Sequence, residues 1–344
     1  MKKYRVILLT IILIIFIKNI NIVITSTYEA SVLFFNKIFI SIFPFIILMD
    51  ILIYYDYQDF LKNIFGKILS KIFNINSETC IIFILSILTG SPTNAVYIKD
   101  MLDNNLIDIN TANKILLFSY FQSIPFVIGT IGIKLYNSLK IGLILWIFIF
   151  INNVLIGLYL KKEKITSFNI NTISNKDTLI NTIKKSILKG INTSYDILGN
   201  LIIFTIIINL IKSILNINPI LLSIISGSLE ITNGIVKVNI LNINLKYKLI
   251  ITLFFLSFSG LSIVFQTVSI LNNYKINVKK ILIIRLVFAL ISCFIFYIFL
   301  KFYWCIIIIR ITFFKNSYHI SNRTNTFWWI IIIIDKITIF IISI

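Results

Sequence analysis

The chain has 344 residues, 58% of them hydrophobic, and a mean hydropathy of +0.97, which excludes an ordinary water-soluble domain. A net charge of +19 would suggest nucleic acid in a soluble protein. Here the lysines fall mostly between apolar runs, so membrane orientation accounts for them and no nucleic-acid partner is expected. Apolar runs of membrane-crossing length recur from end to end, so the expected fold class is an all-α polytopic membrane protein in contact with lipid. Cys80, Cys293 and Cys305 show no CxxC spacing and His319 is the only histidine, so no metal, cofactor or Cys–His nucleophile is expected. With no nucleophile elbow or phosphate-binding loop either, the chain does not read as an enzyme.

Met1 to Arg5 is basic and Val6 to Val23 is apolar apart from Lys18 and Asn19. This predicts a first membrane helix or uncleaved anchor within residues 1–29, starting in the cytoplasm. A second span is expected from about Ala30 to Tyr54, with Pro44 inside it, Lys37 snorkelling and Asp50 facing water. Asp56 to Asn76 repeats apolar residues at helical spacing (Phe60, Leu61, Ile64, Phe65, Ile68, Leu69, Ile72), with Lys62, Lys67 and Lys71 elsewhere, as in a helix lying on the membrane surface.

Thr79 to Ile98 is apolar but interrupted by Gly90-Ser91-Pro92-Thr93-Asn94. Each half is too short to cross, so it reads as a re-entrant hairpin with its tip at that turn. A polar loop over 99–113 leads to a span near 114–133 seeded with Ser119, Gln122, Ser123 and Pro125, then to a plain span near 141–160. Residues 161–195 form a basic cytoplasmic linker that includes Lys161, Lys162, Lys164, Lys176, Lys184, Lys185 and Lys189.

The second half opens with a span near 197–215. After Pro219 comes another interrupted apolar stretch, Gly227-Ser228-Leu229-Glu230-Ile231-Thr232-Asn233-Gly234. Leu253 to Leu271 follows as a span whose centre carries Ser257, Ser259, Gly260, Ser262 and Gln266. Small and hydroxylated residues there suit either a helix-packing seam or the lining of a solute path. A last span is expected near 281–302, and residues 303–344 are a tail of uncertain role, expected to be dispensable.

If Thr79 to Ile98 is re-entrant, the basic N-terminus, Lys62–Lys71 and the 161–189 lysines all fall inside, as the positive-inside rule requires. The order "span, broken stretch, polar-seeded span, plain span" then occurs twice, over 30–160 and 196–302, with the second copy inverted. Inverted repeats with broken helices are a transporter arrangement in which solute binds between the turns. The candidate solute-binding residues are Gly90, Ser91, Thr93, Asn94, Ser119, Gln122 and Ser123 in the first half. In the second they are Gly227, Ser228, Glu230, Asn233, Ser257, Ser259, Gly260, Ser262 and Gln266. Glu230 sits either in a wet cavity, where a coupling proton or cation would bind it, or at the hairpin mouth in water.

The segments FPF at Phe43 to Phe45, GSPTNA at Gly90 to Ala95, GSLEITNG at Gly227 to Gly234 and LSFSGLSIVFQ at Leu256 to Gln266 resemble the nucleoside-recognition (Gate) domain family. The resemblance covers about Ser31 to Lys301 and is nearest to sporulation members. Where the family has G-x-P-x-G-A-K at the first turn, this chain has Asn94 for the second glycine and Val96 for the lysine. The resemblance implies a multi-pass component of the bacterial inner membrane, or of the membrane around the developing spore. It implies movement of a small anionic aromatic acid, dipicolinate, toward the spore. A non-transporting scaffold for the spore envelope, or a nucleoside-type transporter, are the alternatives.

Overall fold

A computed structural model describes residues 2–55, 57–76, 79–162, 178–215 and 217–317. Among these residues the chain is helical throughout, with no strand. Four helices are long and apolar enough to cross a membrane: Leu139–Lys162, Leu179–Ile214, Leu245–Ile270 and Val278–Phe302. A fifth is added if Leu9–Lys18 and Ile20–Phe39, bent by 86°, count as one.

The first helix, α1 (Lys2–Lys18), ends at Asn19, where α2 (Ile20–Leu33) turns away. From Ile20 the chain stays helical through a π-helical segment, Phe34–Phe39, and α3 (Ile40–Tyr54). The expected interval near residues 24–29 between the first two spans is therefore occupied by helix. The amphipathic helix is found as α4 (Tyr57–Phe73). Its apolar side chains divide: Phe60, Ile64, Phe65 and Ile68 are exposed, whereas Leu69 and Ile72 pack on the core. An exposed apolar stripe beside lysines is what an interfacial helix offers to lipid.

Helices α5 (Cys80–Thr89) and α6 (Thr93–Asp103) flank the first turn. Next, α7 (Ile109–Phe118) starts on an Asp108 cap that accepts from Thr111 N at 2.9 Å. The span expected near 114–133 is not one helix. It stops at Ser119 and resumes as a π-helical segment, Pro125–Leu135, because Pro125 cannot donate into a continuing α-helix. The plain span is α8 (Leu139–Tyr159), packed so closely on the π-segment that a Cβ on Gly132 would lie 2.7 Å from the Gly142 backbone.

In the second half, α9 (Leu179–Ile214) is a single 36-residue helix. Residues 179–195, expected as linker, thus belong to the following span; of that linker, 163–177 lie outside the described residues. The pair α10 (Pro219–Leu229) and α11 (Ile231–Ile240) flank the second turn. The central stretch of the sequence is divided into α12 (Leu245–Phe258) and α13 (Gly260–Ile270). Last comes α14 (Val278–Ser317), which runs past the expected end near Phe302; 318–344 lie outside the described residues. On α14 the buried residues Ile281, Arg285, Ala289, Ser292, Phe296 and Leu300 recur at helical spacing. Ile283, Leu286, Val287, Leu290 and Phe294 are exposed, which is the face that meets lipid.

Three contacts gather one end of the molecule. Asn74 Nδ2 donates to Lys161 O at 3.3 Å, joining the end of α4 to the end of α8. Lys189 pairs with Asp50, in the last turn of α3. The cavity wall brings Tyr97 of α6 beside that pair. Contacts at the opposite end join Asn239 Nδ2 to Leu135 O (3.0 Å) and Lys248 Nζ to Asn239 O (2.7 Å). In a chain with Cys80, Cys293 and Cys305 replaced, single cysteines at Lys67 and Lys184 should be labelled together, from the cytoplasmic face only, by a membrane-impermeant maleimide. Labelling of one from outside and the other from inside would overturn this grouping.

Candidate functional site

The site is built from two helix-to-helix turns and two broken helices. At the first turn Gly90 has φ +78°, and a Cβ there would lie 2.6 Å from Ser123 N. Only glycine allows both that conformation and that approach. The turn is then tied to the break in its own half. Ser91 N donates to Phe121 O at 2.7 Å, and Asn94 Nδ2 donates to Ser119 O and Oγ at 3.1 and 3.2 Å.

At the second turn the helices α10 and α11 meet backbone to backbone. A Cβ on Gly234 would overlap the Gly227 backbone, and one on Gly227 would overlap the Phe255 ring. The residue between the helices is Glu230, whose Oε2 accepts from Asn233 N at 2.7 Å and so caps α11. Asn233 Nδ2 donates in turn to Thr205 Oγ1 of α9 at 2.8 Å. This turn also rests on the break in its own half: Gly260 (φ +62°) lies against Ile231 and Leu229 O, beside Ser259 at φ +75°.

Both turns, the first break and the first turns of α13 line one cavity of about 120 Å³. From the first half it takes Ser91, Thr93, Gln122 and Ser123; from the second, Glu230, Ser262 and Gln266. Four helices begin on its wall: α6 at Thr93, the π-segment at Pro125, α11 at Ile231 and α13 just before Ser262. The first turn of a helix presents N–H groups without intrahelical partners and carries partial positive charge, which favours an anion. Two lining side chains have hydrogen-bonding capacity to spare, Gln122 Nε2 and Ser91 Oγ, both without a partner. Gln122 is only 4% exposed, so its amide faces no bulk water.

The opposite ends of the broken helices are served by Arg285, which is 1% exposed. Its guanidinium donates to Asn153 Oδ1 at 2.6 Å, to Ser259 Oγ at 2.9 Å, to Tyr120 O at 3.4 Å and to Ser257 O. It also lies 5.3 Å from the Tyr120 ring centroid. Asn153 Nδ2 donates to the same Tyr120 O at 2.9 Å. Breaking α12 at Ser259 and α7 at Ser119 leaves carbonyls without helical donors, and this one side chain reaches both places.

Several sequence candidates therefore take up positions around the cavity rather than on its wall. Asn94 and Ser119 bond to each other, and Asn233 bonds to Thr205. The Ser257 carbonyl and the Ser259 hydroxyl accept from Arg285. Gly90, Gly227 and Gly260 are close-packing points, and neither Ser228 nor Gly260 lines the cavity. The sequence reading missed Arg285, Asn153, Tyr97 and the pairing of Asp50 with Lys189. A charged residue inside an apolar run was the available signal for Arg285.

The sporulation integral membrane protein YlbJ of Bacillus subtilis (strain 168) is 21% identical over 304 residues, covering 76% of this chain and 74% of that protein. No protein-family model matches the chain, and no solved structure matches it. The Gate resemblance thus has a distant similarity behind it and no family model. Helix content and this similarity agree in making the chain a multi-pass membrane protein.

Replacing Arg285 by Ala should cost roughly 3 kcal/mol, because buried carbonyls and Asn153 lose their donor together. In detergent, Arg285→Ala and Asn153→Ala should each lower the unfolding midpoint. Combined, they should cost about 1 kcal/mol or more less than the sum of the two. Simple additivity would show that the two side chains act independently.

Proposed function

We propose that this chain is a transporter-like membrane protein that moves a small anionic solute through the cavity between its two turns, with no catalytic step. The observation that carries the reading is the composition of the cavity wall: two turns, the first break and four helix beginnings, drawn from both halves of the chain. Irregular backbone at membrane depth is tolerated where it lines a cavity, and helix N-termini aimed at an anion need no lysine. That suits a chain with Val96 at the family's lysine position.

Each turn with its flanking helices is read as a re-entrant hairpin, and the two halves as inverted repeats. Two observations support this. Each turn docks on the break in its own half, Ser91 on Phe121 and Ile231 on Gly260. The α5–α6 hairpin returns to the end marked by Asp50 and Lys189, whereas α11 returns to the end where Asn239 meets Leu135. The similarity to a sporulation integral membrane protein supports a role in spore formation, with dipicolinate as the solute to test first. Glu230, at the cavity and 8% exposed, is read as the site of a coupling proton or cation, since a carboxylate repels an anion in a low-dielectric site.

The dry contacts of Asn94 with Ser119 and of Asn233 with Thr205 favour the second reading, a scaffold in which the polar residues only pack helices. Uptake of labelled dipicolinate by proteoliposomes separates the two. Glu230→Gln keeps an amide oxygen for the α11 cap, so folded yield should hold while uptake loses its dependence on the pH gradient. Gln122→Leu should lower uptake about tenfold by removing one donor from the wall. Uptake no greater than in empty liposomes would leave the scaffold reading.

A further inference from the structure

The cavity has one cationic side chain among the described residues that line it, Lys189 of α9. Its ammonium is held by Asp50, which lines the facing wall on α3. The side chains of Lys189 and Asp50 are 45% and 16% exposed, so the pair stands where the cavity opens to water at the lysine-rich end. Tyr97, Thr193 and Asn200 lie on the wall with it, and Gln122 and the helix beginnings belong to the same cavity. Asp100, on α6, is close enough to feel the Lys189 charge.

We propose that Lys189 is the first solute contact, and that a carboxylate group entering from this end takes the place of Asp50 on its ammonium. The proposal rests on the anion-transport reading and adds to it a residue, an order of contact and a ligand group. As the pair stands, Asp50 satisfies Lys189 and bridges α3 to α9 at the mouth. A carboxylate of similar basicity exchanges with Asp50 at small net cost because one charge-assisted hydrogen bond replaces another. Breaking the bridge removes one tie between α3 and α9, which stay packed where Gly190 lies against Phe43 and Ile47, and the solute's remaining charge faces the N-terminal turns within. The surface exposure of the pair keeps its own contribution to stability small, which is what an exchangeable contact requires.

The two partners then have opposite effects, which a structural ion pair does not. Binding is read by thermal shift on full-length detergent-solubilised protein, with pyridine-2,6-dicarboxylate as probe and uncharged pyridine-2,6-dicarboxamide as control. Lys189→Gln should weaken dicarboxylate binding about tenfold, and Lys189→Arg should restore most of it. Asp50→Asn should tighten binding about threefold, because the competing carboxylate is gone. Unliganded midpoints of the three variants should stay near wild type. Shifts of the same sign for Lys189→Gln and Asp50→Asn, or no shift in either, would overturn the exchange while leaving the transport reading in place. Wild-type protein that binds the dicarboxylate no better than the dicarboxamide would overturn both.

Discussion

A helix broken inside a membrane must find new partners for the backbone groups it releases, and here Arg285 supplies them for two breaks at once. Its guanidinium reaches Tyr120 O just beyond α7 and Ser257 O at the end of α12. Each helix C-terminus carries about half a negative charge, so two of them offset most of the charge on one buried arginine. That explains how an arginine at 1% exposure stands without a carboxylate among its hydrogen-bond partners. Asn153 adds the one neutral acceptor held in place by a bond to the same Tyr120 carbonyl. The breaks in the two halves of the chain are thereby held against a common point on α14.

The other side of each break then has a defined fate. With the C-terminal ends occupied, the helices that resume after the breaks, the π-segment and α13, begin at the cavity, as do α6 and α11 across from them. Close glycine contacts bring these beginnings together: Gly90 against Ser123 and Gly260 against Ile231. Sequence, break, packing and electrostatics form one chain of cause. Pro125 and the Ser259-Gly260 pair stop the helices, the stops expose polar backbone, Arg285 absorbs one set of ends, and the cavity receives the other.

Much of the architecture was legible in the residues because it follows from local chemistry. Apolar runs gave the spans near 141–160, 197–215, 253–271 and 281–302, Gly90 to Asn94 and Gly227 to Gly234 gave the turns, and the spacing of Phe60, Ile64 and Ile68 gave the amphipathic helix. The boundaries between elements were less legible. Asn19 bends a helix more sharply than its polarity suggests, and residues 179–195 continue into α9 despite their lysines. Ser119, Gln122 and Ser123 read as polar residues within one span, whereas they lie where α7 ends and the helix is interrupted. Arg285 and Lys189 were hidden for a different reason. In so lysine-rich a chain a single cation carries little weight, and its importance is set by partners 132 and 139 positions away.

Charge balance in the cavity links the proposed solute to Glu230. Four helix beginnings bring about half a positive charge each, roughly two in total, and the ends of α5 at Thr89 and α10 at Leu229 take back about one. Ionised Glu230 caps one of the beginnings and removes about one more, while Lys189 and Asp50 cancel as long as they are paired. The wall is then close to neutral. A dicarboxylate needs positive charge there, and two groups on the wall can provide it: Lys189 on release from Asp50, and Glu230 on taking up a proton. On the proposed reading these are successive events along one path. The first occurs at the mouth, where water solvates the freed Asp50. The second occurs deeper, where there is no such solvation and a proton must travel with the solute. On that same reading, proton coupling follows from placing a capping carboxylate among helix N-termini, and it needs no charged residue beyond those on the described wall.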